Sequence, residues 1–122
     1  MAEHNDFGKI AENYVAMKYE KNGYTILKRN WYHSPAEIDI IAQRDGTLVI
    51  VEVKARADDN WLPPELAVNN KKKRLLIAAA DAYMDMNSIE MECRFDIAIV
   101  IKKKDGLAAD IITDAFHPFE LG

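Results

Sequence analysis

A single cysteine, Cys93, is the first constraint on this chain. Without a second thiol there is no internal disulfide, and a four-thiolate zinc site is excluded. A chain so poor in cysteine suits a reducing compartment. Long apolar runs are missing too, and none approaches the ~18 residues that span a bilayer. The N-terminus, MAEHNDFGKI, has acidic and polar residues where a secretory signal has a basic start and an apolar stretch. The expectation is a cytoplasmic protein with no membrane partner. Positive charge is also in short supply: 16 Lys and Arg stand against 20 Asp and Glu, for a net charge of −4. A simple nucleic-acid binder is usually basic, so this balance counts against that class. A cluster of carboxylates at a metal site would itself lower the net charge, so acidity does not exclude nuclease chemistry.

What remains is an ordinary globular balance, 49% apolar and 30% charged over 122 residues. That length predicts one domain, 1–122. Such a domain buries roughly two thirds of its unfolded surface and folds without staples. Phe7, Ile10, Ala11, Tyr14, Val15 and Lys18 follow helical spacing, which predicts a helix over 5–22 capped by Asn5 or Asp6 and ended by Gly23. Residues 24–32, YTILKRNWY, read as a strand, followed by a turn at His33-Ser34-Pro35. Strands are predicted over 37–43 and 47–55, joined by a hairpin turn at Asp45-Gly46. The second of these is apolar on both faces, which marks a central strand. An irregular loop with two prolines follows over 56–66, then a helix over 67–86. Two more strands, 94–102 and 107–113, meet at Asp105-Gly106, and the tail after Asp114 has no clear pattern. The order α-β-β-β-α-β-β predicts an α/β fold, a mixed sheet flanked by helices.

Charge interrupts this pattern in one place. Side chains alternate across a strand, so Glu37 and Asp39 share one face of their strand. Glu52 and Lys54 share a face of the next, in line with Leu48 and Ile50. The hairpin sets these strands side by side, so three carboxylates and a lysine can gather. Charges that continue an apolar strand are rarely buried unless paired or bound to a metal. Hard oxygen donors suit Mg²⁺, which is commonly held by one or two carboxylates plus phosphate oxygens. Such an ion polarises a phosphoryl oxygen and acidifies a bound water. Lys54 would orient that water or stabilise the growing charge. The plainer reading is that Glu52 and Lys54 end a core strand and pair with solvent-facing partners.

Asp39, twelve residues, and then Glu52-Val53-Lys54 resembles the core of the PD-(D/E)XK nucleases. More narrowly, the chain is similar to the YraN-like family, small bacterial proteins predicted to be endonucleases and distantly related to archaeal Holliday junction resolvases. The resemblance spans nearly the whole chain. Its landmarks are Gly8, Ala11-Glu12, Gly23-Tyr24, Arg29-Asn30, Glu37-Ile38-Asp39, Val51-Glu52-Val53-Lys54, Arg56, Val68, Lys72 and Arg94-Phe95-Asp96. It implies a restriction-endonuclease-like fold with a central sheet of about five strands. It makes Asp39 and Glu52 ligands of Mg²⁺ or Mn²⁺, with the Val53 carbonyl as a third, and Lys54 the catalytic lysine. Glu12 matches a helix glutamate that completes such sites, and Glu37 joins the catalytic set. By geometry alone Glu12 lies on the flank of the apolar stripe and can face either the site or solvent. Ala36 stands where the family usually has glycine, and Ile38 rather than proline precedes Asp39.

Lys71, Lys72, Lys73 and Arg74 could hold a phosphate backbone at a helix start, or form a solvated face. The resemblance favours Lys72 and Arg56 as nucleic-acid contacts. Lys102–Lys104 read as a soluble hairpin end, and Trp61 either stacks on a base or anchors its loop. Trp31 and Tyr32 read as core or strand-end residues. The three histidines have no ligand spacing, and His33 reads as a turn residue. Arg94 and Asp96 read as a structural ion pair. Three functions compete. The first is a divalent-metal-dependent endonuclease acting on DNA, branched DNA by resemblance, with a homodimer as the related resolvases imply. The second is a non-catalytic nucleic-acid-binding or adaptor module that keeps the fold. The third is a structural protein whose charged strand ends pair internally.

Overall fold

The computed structural model describes residues 2–56 and 67–121. Helix α1 (Ala2–Lys21) leads into three antiparallel strands, β1 (Thr25–His33), β2 (Ala36–Arg44) and β3 (Thr47–Arg56). Helix α2 (Asn70–Met86) then carries the chain to β4 (Glu92–Lys103), and β5 (Gly106–Ile112) closes the sheet. The strand order is β1-β2-β3-β4-β5. β3 and β4 run parallel, and the other neighbours run antiparallel. A parallel pair cannot be joined by a hairpin, so α2 is the crossover this order demands. The result is α/β with a five-stranded mixed sheet, as the element order predicts.

The sheet separates two apolar layers. Ile38, Ile41, Leu48, Ile50, Phe95, Ile97 and Ile99 pack with Leu76, Ala79, Ala80 and Tyr83 of α2. Ile40, Ala42, Val49, Val51, Ala98 and Val100 pack with Ala11, Val15, Ala16 and Tyr19 of α1. β3 contributes to both layers, which explains why its sequence is apolar on both faces. At Asp45 and Gly46 the backbone has φ of 51° and 76°, the left-handed pair that a two-residue hairpin turn requires.

Several boundaries shift. α1 begins at Ala2, not near Asn5, because alanine and glutamate ahead of Asn5 are good helix formers. α2 begins at Asn70 because the Asn69 side chain accepts the Lys72 N–H at 2.8 Å and caps the helix. The tail ends in a short 3₁₀ helix, Pro118–Leu121, that rests against α2. The proline-containing loop expected over 56–66, with Trp61, lies outside the described residues after Arg56. No described helix is long and apolar enough to cross a membrane.

Candidate functional site

β2 and β3 pair from Arg44↔Thr47 to Ile40↔Val51, and there the pairing stops. Beyond that point β3 continues against β4 as far as Arg56, while β2 continues against β1 as far as Ala36. The sheet therefore splits between its second and third strands. The split coincides with a break in alternation. Ile38 belongs to the α2 layer and Ile40 to the α1 layer, although residues two apart should share a face. Across from Asp39, between the pairs Arg29↔Ile40 and Trp31↔Ile38, stands Asn30, whose φ is 51°. Asparagine tolerates this left-handed geometry better than most residues. The two strands kink together, and Asp39 is left at the mouth of the split.

Asp39 fills part of the gap that the missing strand pairing leaves. Its Oδ2 accepts the Val53 N–H at 2.8 Å. The N–H and C=O of one strand residue point to the same edge, so the Val53 carbonyl also faces the gap. Glu52 continues the α2 face of β3 after Leu48 and Ile50, and only 4% of the residue is exposed. Its Oε2 receives the Lys72 ammonium at 3.1 Å and the Lys54 ammonium at 3.8 Å. Its Oε1 is buried and has no hydrogen-bond partner among the described residues. The Glu52 carboxylate is the charged neighbour that acts most strongly on Asp39.

Burial, the neighbouring Glu52 charge, the Glu12 charge and the hydrogen bond to Glu52 push Asp39 up to about 8, against the opposing pull of the Val53 N–H. The proton belongs to the pair as much as to Asp39. Two acids held this close need a proton or a cation between them. A divalent ion fits that requirement, with Asp39, Glu52 and the Val53 carbonyl as its protein donors. No three or more Asp, Glu, His or Cys side chains form a metal-binding group among the described residues. Two carboxylates and one carbonyl are too few donors for a closed cage, and an ion held by them would keep positions for water or phosphate.

Glu12 resolves toward the site. Asn30 Nδ2 donates to its Oε1 at 2.9 Å, Arg29 stands 3.8 Å away, and its charge reaches Asp39. It approaches from the α1 side of the sheet, whereas Glu52 lies on the α2 side. Glu37 stands farther out along β2. It pairs in register with Tyr32, two residues farther out, and is not among the main groups acting on Asp39.

The basic run is dispersed by the helix it sits on. At about 100° per residue, four consecutive side chains cannot face one way. Lys72 reaches Glu52, Lys73 lies 5.5 Å over the Phe116 ring, Arg74 donates to the Leu121 carbonyl at 3.0 Å, and Lys71 is exposed. The expectation of one phosphate-binding row therefore reduces to Lys72 at this centre. Arg56 lies two residues beyond Lys54 on the same strand and is half-buried. Sequence reasoning gave Asn30 and Arg29 no role. The signals available were their place among the landmarks of the resemblance and an asparagine inside an otherwise regular strand.

Arg94 and Asp96 form the expected ion pair, at 2.9 Å and 3.0 Å. Asp96 is 1% exposed and also accepts the Tyr19 hydroxyl at 2.6 Å and the Asp114 N–H at 2.9 Å. Burial and the Asp96 charge drive the Tyr19 hydroxyl upward, so it stays a donor. This network ties α1, β4 and the segment after β5 together. All its oxygens are satisfied, in contrast to Glu52.

Residues 11–100 match the profile described as "Uncharacterised protein family UPF0102". A UPF0102 protein of Parabacteroides distasonis is 44% identical over 117 residues, covering 96% of this chain and 97% of the relative. One from Flavobacterium johnsoniae is 42% identical over 123 residues, covering 98% of this chain and all of the relative. A third, from Bacteroides thetaiotaomicron, is 43% identical over 118 residues and covers 97% of this chain. With a profile match across most of its length and full-length relatives above 40% identity, the chain belongs to the UPF0102 family.

Proposed function

We propose that the protein is a divalent-metal-dependent endonuclease of the PD-(D/E)XK type that hydrolyses phosphodiester bonds of DNA. The observation that carries this reading is the split between β2 and β3, where Asp39, Glu52 and the Val53 carbonyl converge beside two ammonium groups. The restriction-endonuclease-like fold is part of the same proposal, and the α/β sheet with its β3-α2-β4 crossover is consistent with it. Branched DNA is the substrate class that the resemblance implies. Cutting two strands of a junction takes two such centres, which a homodimer supplies. Cys93, whose thiol burial pushes up to about 12, is inert and in keeping with a reducing cytoplasm.

The chain's own groups divide the work. Asp39 and Glu52 would hold Mg²⁺ or Mn²⁺ with the Val53 carbonyl, and the Val53 N–H keeps the Asp39 carboxylate aimed into the gap. When bound, the ion supplies Lewis acidity and lowers the pKa of a coordinated water. Lys54, 36% exposed and next to Glu52, sets its ammonium at the rim to orient the attacking water and stabilise charge on the phosphoryl oxygens. Glu12, held by Asn30, adds negative potential from the other side and draws a cation into the split.

The test is cleavage of labelled junction, flap and linear duplex DNA with Mg²⁺ or Mn²⁺, using wild type, Asp39→Ala and Lys54→Ala. Both variants should lose cleavage and keep the wild-type circular dichroism spectrum. One feature favours the second reading, a non-catalytic nucleic-acid-binding module. Glu52 already has two lysine partners, as a purely structural acid would. DNA binding by wild type with no cleavage under any cation or substrate would establish that reading instead.

A further inference from the structure

The residue the nuclease reading leaves underused is Lys72. Its ammonium approaches Glu52 Oε2 at 3.1 Å, closer than Lys54 at 3.8 Å. It extends from the first turn of α2, fixed by the Asn69 cap, so it comes from a different element than the acids it serves. Its side chain is 40% exposed while that of Glu52 is 4% exposed. A free path to solvent therefore exists for the lysine and not for the acid. Glu52 Oε1 meanwhile stays buried with no N–H donor among the described residues, and the Asp39 carboxyl acts on the same Glu52 side chain.

The charges can be counted. Asp39 and Glu52 carry two negative charges when ionised, and Lys54 and Lys72 carry two positive ones. A divalent ion at the two acids adds positive charge beside two ammonium groups that are already there. A cation and an ammonium that contact the same carboxylate repel each other, so the mobile one moves. Lys54 stands on the same strand as Glu52, whereas Lys72 comes from a separate element, the first turn of α2, and is the nearer of the two.

We propose that Lys72 is the resident counterion of Glu52, that a divalent ion displaces it, and that the released ammonium then binds a phosphate oxygen of the DNA. This rests on the nuclease reading for the cation and adds the exchange. One side chain keeps a buried acid paired while the protein waits and delivers a positive charge to the backbone once the ion arrives. A contact with phosphate positions the strand and carries no sequence preference.

The exchange makes Lys72→Met unusual in sign. Removing an ordinary structural lysine weakens everything, and removing an ordinary DNA-contacting lysine leaves ion binding alone. Here Lys72→Met should tighten Mn²⁺, read by electron paramagnetic resonance of the free ion, by about tenfold, because no ammonium need be displaced. The same variant should weaken binding of a labelled junction in Ca²⁺ by about tenfold. A second arm uses acetylation of Lys72 followed by mass spectrometry. Glu52→Gln should speed it, and saturating Mn²⁺ should speed it in wild type. Mn²⁺ bound by wild type, with Lys72→Met equal or weaker in Mn²⁺ affinity, overturns the exchange and leaves the nuclease reading standing. Wild type that binds no Mn²⁺ overturns both.

Discussion

The most direct consequence of the split sheet is that Asp39 lowers the stability of the protein that carries it. Its pKa moves from the ordinary 3.8 to about 8 in the folded state. Between those values the native chain holds a proton that the unfolded chain has released. Stability must then fall as pH rises, by about 1.4 kcal/mol per pH unit while the native group stays protonated. From pH 6 to pH 7.5 the loss is about 2 kcal/mol, a large share of a typical 5–15 kcal/mol total. Asp39→Asn removes the titration, and its amide oxygen can still accept the Val53 N–H. The assay is urea denaturation of both proteins in a chelating buffer at half-unit steps from pH 5.5 to 8.5. The difference between the curves reports the Asp39–Glu52 pair, since the titrating groups outside it are common to both. Wild type should lose stability relative to Asp39→Asn across this range, and the asparagine variant should be the more stable one at pH 8. Adding Mg²⁺ or Mn²⁺ should restore wild type alone, with the ion's apparent affinity rising about tenfold per pH unit below pH 8 as it competes with one proton. Parallel curves for the two proteins would refute the shared-proton account of the site. Such curves are what a free Asp39 carboxylate gives, since native and unfolded aspartate are then both ionised across this range.

Other outcomes follow from the same structure. Tyr19→Phe removes one donor to the buried Asp96 and should cost about 1.5–3 kcal/mol by urea denaturation while leaving Mn²⁺ affinity unchanged. Asp96→Ala strands the Arg94 guanidinium and should cost about 3–5 kcal/mol by the same measurement. Asn69→Ala removes the cap of α2 and should cost about 1 kcal/mol in melting experiments; the first turn then frays, and Lys72 acetylation should rise with it. Leu76→Ala, at the centre of the α2 layer, should cost about 2–5 kcal/mol and serves as a core control with no effect on the pH slope.

Much of the architecture was legible because it rests on local rules. The double apolar face of β3, the Asp45-Gly46 turn and the helical spacing around Ala11 and Val15 each follow from side-chain periodicity or backbone sterics, and the structure agrees with them. Helix ends were less legible. Asn69 caps α2 three residues later than the pattern suggested, since the apolar period says where a helix packs and not where its first free N–H finds a partner. The candidate site was half legible. Alternation placed Glu52, Lys54 and Asp39 correctly near one another, because they lie on neighbouring strands of one hairpin. The same rule also drew Glu37 in, although the alternation it assumes breaks between Ile38 and Ile40, beside the left-handed Asn30. Glu12 and Lys72 were ambiguous from spacing, since each lies on a helix whose rotation about its axis is set by packing against the sheet.

From its own order of residues, this chain dictated which segments are strands and helices and which strand is central. It also dictated that charge interrupts an apolar strand at Glu52. Those are consequences of periods of two and 3.6, which act within a few neighbours. Only the tertiary structure decided that β2 and β3 part after Val51 and that Asp39 turns to the Val53 N–H. It alone decided that Glu12 and Lys72 reach the opening from opposite layers. The reason is physical. A split in a sheet is a choice between forming the next pair of backbone hydrogen bonds and satisfying those groups with a side chain. That choice is settled by packing on both faces at once, between residues far apart in the sequence.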